Sequence, residues 1–159
     1  MKVSPLLWIA LPVSCVDEVI QLQTQNISPI PAVNSCLLGI TNQQGKMLWV
    51  LHLEKFLGIK PVPLSKQISA IAIRAQIPNG GICRLACVVM SLEEIITLDS
   101  EKFFPVPNKL PLRVKTLLSG LVNIDQKTYG ILNVSAVFRL LNPEMDIGQE
   151  STGVVRQGA

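Results

Sequence analysis

A chain of 159 residues, 48% hydrophobic and 16% charged, has ample apolar surface for one domain or for two small subdomains sharing a core. Its net charge of +3 comes from scattered basic residues, with no basic run and a single Tyr. That argues against nucleic-acid binding, where Lys and Arg cluster with stacking aromatics. Eleven prolines, abundant branched aliphatics and few aromatics favour short strands and stiff turns over long helices.

In chain order, Met1-Lys2 followed by an apolar run to Ser14-Cys15 has the outline of a lipoprotein signal. One positive charge, the interrupting Pro12 and a run too short for a bilayer oppose it. Residues 7–20 also resemble residues 83–96, so the start is read as folded structure, with no membrane insertion and a cytoplasmic location. Leu6–Val13 reads as a strand. Val16–Gln23 is a second, with Val16, Glu18 and Ile20 on one face and Asp17, Val19 and Gln21 on the other. Ser28–Pro31 is a stiff link, and Val33–Leu38 a short helix or turn.

Gly39 to Gly58, GITNQQGKMLWVLHLEKFLG, reads as strand, tight turn, strand and short helix. Asn42-Gln43-Gln44-Gly45 is the turn, because Asn and Gly tolerate the backbone angles that reverse a chain. Met47–Leu53 is too short for a buried helix and apolar enough for a strand covered on both faces. Glu54–Leu57 forms a helical turn that Gly58 stops. Ile59–Gln67 is a linker, Ile68–Ala75 a strand, Pro78–Gly81 a hairpin turn and Cys83–Met90 its returning strand. Leu92–Leu98 is a twin of 16–22, Phe104–Pro111 is extended, and Leu112–Leu118 is a short helix. Val122–Lys127 turns at Asp125-Gln126, Thr128–Val134 is a strand, and Ser135 caps a helix to Leu141. Residues 142–159 read as a flexible tail.

The chain repeats itself. At an offset of 81, Gly39 meets Gly120, Asn42 meets Asn123, Lys46 meets Lys127, Leu51 meets Leu132 and Leu57 meets Phe138. At an offset of 76, Pro29-Ile30-Pro31 falls on Pro105-Val106-Pro107, and Glu18-Val19-Ile20 on Glu94-Ile95-Ile96. Two similar units imply a pseudo-symmetric pair of subdomains, about 1–58 and 68–141, within a domain spanning 1–141. The counterpart of strand 68–75 would fall before Met1. The first unit therefore lacks one strand as read: either the true start codon lies upstream, or the first barrel has an open edge, or another element fills the slot.

The four cysteines make no CxxC pair, and with one histidine they complete no structural zinc site. They read as small buried residues in a reducing compartment. His52 stands alone in an apolar run with no nucleophile or ligand motif beside it, so a core or edge position fits better than a catalytic one. Trp8 and Trp49 read as core. Trp49 and His52 fall on opposite faces of a regular strand, which would expose one of them.

The string G-x-x-N-x-x-G running into a β-rich stretch and a helix ending Phe56-Leu57-Gly58 resembles the CheW-like domain family. So do Leu11-Pro12-Val13 before Val16-Asp17-Glu18-Val19, Pro105-Val106-Pro107, and Ser119-Gly120-Leu121-Val122 before Ile131-Leu132-Asn133-Val134. The resemblance spans about 6–141. It implies an all-β fold of two SH3-like β-barrel subdomains with short helices. It also implies a non-enzymatic adaptor that couples a methyl-accepting chemoreceptor's cytoplasmic tip to the regulatory domain of a CheA-type histidine kinase. No cofactor, metal or catalytic residue is expected. Partner-binding positions carried over are Val16, Glu18 and Val19 on the second strand, and Asn42 and Gln44 in the turn. Family members commonly carry N-L-R-G there, and D-L-R after the strand. Here Asn42-Gln43-Gln44-Gly45 and His52-Leu53-Glu54 lack both arginines, which implies a divergent member, of a surface-motility or phototaxis pathway. The alternative is a small-ligand-binding or enzymatic β-barrel using His52.

Overall fold

The computed structural model describes residues 1–4, 7–76, 81–91 and 97–141. The strands are β1 (Lys2–Ser4), β2 (Leu7–Ala10), β3 (Val16–Gln23), β4 (Leu37–Gln43), β5 (Lys46–Leu51), β6 (Gln67–Gln76), β7 (Ile82–Val89), β8 (Leu118–Ile124) and β9 (Lys127–Leu132). The helices are short: α1 (Leu53–Phe56), α2 (Leu112–Leu117) and α3 (134–141). The fold is all-β, as expected. Its strands form a four-stranded sheet A, ordered β1-β2-β9-β8, and a five-stranded sheet B, ordered β3-β6-β7-β5-β4.

The offset of 81 is realised residue for residue. β4 maps onto β8, β5 onto β9, and the start of α1 onto the start of α3. Both hairpins reverse through two left-handed residues, Gln44 and Gly45 in one, Asp125 and Gln126 in the other. Two consecutive residues at positive φ match the right-handed twist of flanking strands. Asn42 adds an acceptor, its Oδ1 receiving the Gly45 N–H at 2.9 Å. The offset of 76 places 3-10 turns at Thr24–Asn26 and Ser100–Lys102. It also yields two matching bridges, Ser28 to Ile40 and Phe104 to Leu121. The first bridge carries the chain beyond β3 round to β4, the opposite edge, so sheet B curls, while β3 itself keeps β6 as its one strand neighbour among the described residues.

The two copies exchange strands. β5, from the first copy, pairs in parallel with β7 of the second, Trp49 opposite Leu85. β9, from the second copy, pairs in parallel with β2 of the first, Ile9 opposite Gly130. The slot that β6 fills in sheet B is filled in sheet A by β1, a three-residue strand absent from the sequence reading. It is held where Lys2 N–H donates to Ser91 O and Met90 N–H to Lys2 O.

The main apolar cluster lies between the sheets and joins Ile9, Leu118 and Leu132 to Trp49, Leu51, Ile73 and Leu85, with Phe56 and Phe138 from the helices. A second cluster lines the other face of sheet B, built on Ile20, Leu48, Val50, Ala70, Ala86 and Val88.

Several local expectations shift. The β5 strand ends at Leu51, one residue before His52, and Leu53 opens α1. Of the two readings open for 33–38, helix or turn, the turn holds over 33–36, and β4 begins at Leu37, inside the expected segment. The α3 cap is Asn133, whose Oδ1 accepts the Ala136 N–H at 3.1 Å, and not Ser135. Most of the expected 78–81 turn and 92–98 twin, and residues 142–159, lie outside the described residues.

Candidate protein-interaction site

β3 is an edge strand of sheet B, paired through seven of its eight residues with β6 alone. Among the described residues no backbone group pairs with its outer edge. An open edge of this length is a template for a further strand unless something blunts it.

The strand is not regular. A bulge at Asp17 sets Val16 opposite Ile73 and Glu18 opposite Ala72. Ile73 belongs to the inter-sheet cluster, and Val16 packs against that cluster too. Ile20 and Leu22 belong to the second cluster, on the other face. The expected shared face of Val16, Glu18 and Ile20 is therefore broken, because the extra residue flips the alternation once.

The bulge also lets two consecutive carboxylates reach one arginine. Arg84 Nε donates to Asp17 Oδ2 at 2.7 Å, and Nη2 pairs with Asp17 as well as with Glu18 Oε1 at 3.2 Å. Arg74 Nη1 adds a bond to Asp17 Oδ1 at 2.8 Å. Partial desolvation pushes the Asp17 pKa up. The bond and charge of Arg84, then those of Arg74, outweigh it and hold the carboxyl below its ordinary 3.8. Arg84 continues the Ala86–Val88 face of β7, so this cluster caps one end of the second apolar cluster.

Of the residues expected at the site, Val16 is half-buried and Glu18 is held by Arg84, while Val19 is 53% exposed. Asn42 and Gln44 are both exposed at the β4–β5 turn. Pairing aligns Val16, Ile73, Leu85, Trp49 and Ile40 across sheet B, so the turn and the start of β3 lie at the same end of the sheet. They stand on opposite edges, with three strands between them. Sequence reasoning did not find Arg84 or Arg74; two arginines in an apolar hairpin were the available signal.

Two further expectations change. Trp8 is not core: it is partly exposed, packed against Tyr129 with ring centroids 5.7 Å apart. Trp49 and His52 are both buried, because His52 lies beyond the strand, where its N–H donates to Cys36 O at 2.8 Å. Glu54, where the family motif suggests arginine, is 3% exposed, and its Oε1 accepts the Val62 N–H at 2.8 Å, tying down the linker. Cys83 and Cys87 are buried, and burial pushes the Cys87 thiol up to about 12. Cys15 and Cys36 are half-buried. Among the described residues no three metal-ligating side chains come together, and no helix is long and apolar enough to cross a membrane.

The family model described as CheW-like domain matches residues 6–142. Among solved structures the chain is similar to the scaffolding protein TtCheW from Thermoanaerobacter tengcongensis. The TM-score is 0.64 and the identity 25%, over 79% of this chain and 80% of that one. No curated protein matches the chain.

Proposed function

This chain belongs to the CheW-like domain family, and on that premise we propose that it is a non-enzymatic adaptor linking a chemoreceptor's cytoplasmic tip to the regulatory domain of a CheA-type kinase. The observation that carries the surface assignment is Val19, an exposed branched aliphatic on an open edge strand beside carboxylates already neutralised by Arg84. A partner strand or apolar groove meeting that edge desolvates backbone and Val19 without stranding a charge. Val16 and Glu18 act there by fixing the strand's shape. Asn42 and Gln44 offer a second contact on the opposite edge, where the family's arginine is replaced by a neutral side chain. Two separate edges suit a protein that bridges two partners. Pairwise affinity is on the order of micromolar or weaker, with assembly gaining from multivalency. The pathway serves surface motility or phototaxis, and the protein works in the cytoplasm. The rival reading, chemistry at His52, gains nothing from a buried imidazole that joins no cluster of metal-ligating side chains among the described residues.

The test is a titration of the full chain against a CheA-type regulatory domain and a chemoreceptor tip. Val19→Lys weakens one of these by at least about tenfold, or ~1.4 kcal/mol, while its melting temperature stays within a degree or two of wild type, as expected at an exposed site. Gln44→Arg tightens kinase binding. A well-folded wild type that binds neither partner overturns the adaptor reading.

A further inference from the structure

A pair of cations gathers on one face of sheet A. Lys2, Trp8 and Tyr129 are register partners across β1, β2 and β9, so their side chains share a face. Lys127 precedes Tyr129 by two residues and falls on that face too. The Lys127 ammonium sits 4.1 Å from the Trp8 ring centroid, and that of Lys2 5.2 Å from it. An indole quadrupole attracts a cation, but it does not cancel two full charges. Every ion pair among the described residues is made by Asp17 or Glu18, and none involves Lys2 or Lys127.

The internal repeat shows what this position does elsewhere in the molecule. Trp8 corresponds to Arg84 at the offset of 76, and the Lys2–Trp8 pairing occupies the slot of the Arg74–Arg84 pairing. In sheet B those two cations take two carboxylates from a neighbouring strand. In sheet A the two cations stand instead over a partly exposed aromatic pair.

We propose that the Lys2–Trp8–Tyr129–Lys127 face is a second docking surface, and that its occupant is a partner-protein segment carrying two or more carboxylates. Charge complementarity selects the occupant. Two separate ammonium groups on flexible stems each donate to one carboxylate, and the Trp8–Tyr129 surface covers the apolar stems between them. This inference rests on sheet A alone, so the fate of the β3 surface does not decide it.

The test titrates the full chain with a ten-residue peptide alternating Glu and Ser, with its Gln counterpart, and with a single-stranded oligonucleotide. The readout is the indole N–H signals in proton–nitrogen spectra. Trp8 shifts saturably, while Trp49, 6% exposed, serves as the unmoved reference. The double variant Lys2→Gln/Lys127→Gln lowers affinity at least tenfold without altering the melting temperature. Lys46→Gln, the repeat equivalent of Lys127, leaves it unchanged. Equal binding of the Gln peptide, or stronger binding of the oligonucleotide, overturns the proposal. So does binding that appears only when Glu93 and Glu94, the sequence counterparts of Asp17 and Glu18, are changed to Gln, since the chain's own carboxylates would then be the occupants.

Discussion

His52 Nδ1 and Arg84 Nη1 are the two buried side-chain polar atoms without a hydrogen-bond partner among the described residues. Burial lowers the His52 pKa, the Glu54 charge works to raise it, and Lys55 works with burial, so the imidazole stays neutral in the folded protein. The unfolded chain takes up a proton near pH 6.5. The stability this group contributes is therefore full above that value and is lost as pH falls toward the depressed folded pKa. Between pH 7.5 and 5.5 the wild type should lose more stability in urea unfolding than His52→Leu. Equal losses would show that His52 finds a partner in solution. The histidine's apolar neighbours left a core or an edge position open, and its burial follows from β5 ending at Leu51. The exposure of Trp8 was not legible in the sequence, because an apolar strand does not reveal which face its distant pairing partner leaves open. The Asp17 bulge was hidden for a related reason: it exists only in the pairing of β3 with β6.

At the scale of elements, the two copies are alike in path and unlike in tolerance. Gly39 has φ +139°, and a Cβ there would lie 2.1 Å from Ser28 O, inside the Ser28–Ile40 bridge. At Gly120 the corresponding Cβ would meet only Phe104 O, at 3.3 Å. Gly39→Ala should cost about 3 kcal/mol or more, and Gly120→Ala about 1 kcal/mol or less, by urea or thermal unfolding. Similar costs would mean that the two bridges are equally yielding. Sequence placed the hairpins, the α2 helix and the offsets well, since turn residues and apolar periodicity are local signals. It misplaced the α3 cap by two residues because Asn133 and Ser135 are both good capping residues. It missed β1 because three residues carry no periodicity.

At the scale of the molecule, each sheet takes strands from both copies, and one apolar cluster joins the sheets. Neither copy completes a sheet alone, so unfolding should be one cooperative transition. Trp8→Phe and Trp49→Phe variants, each leaving one tryptophan as the fluorescent probe, should give urea curves with coincident midpoints after correction for each substitution. Separate midpoints would mean that the sheets are independent. The repeat was legible in the sequence because similarity survives at fixed offsets. The exchange of strands was not, because an offset reports resemblance and says nothing about pairing. That exchange has a consequence during synthesis. Trp8 pairs with Tyr129, more than a hundred residues downstream. At translation rates of roughly 5–20 residues per second, the nascent β2 waits about 6–24 seconds for its neighbour. Throughout that interval an apolar strand is without its parallel partner on the ribosome, so chaperone occupancy of the early chain should bear on the yield of folded protein.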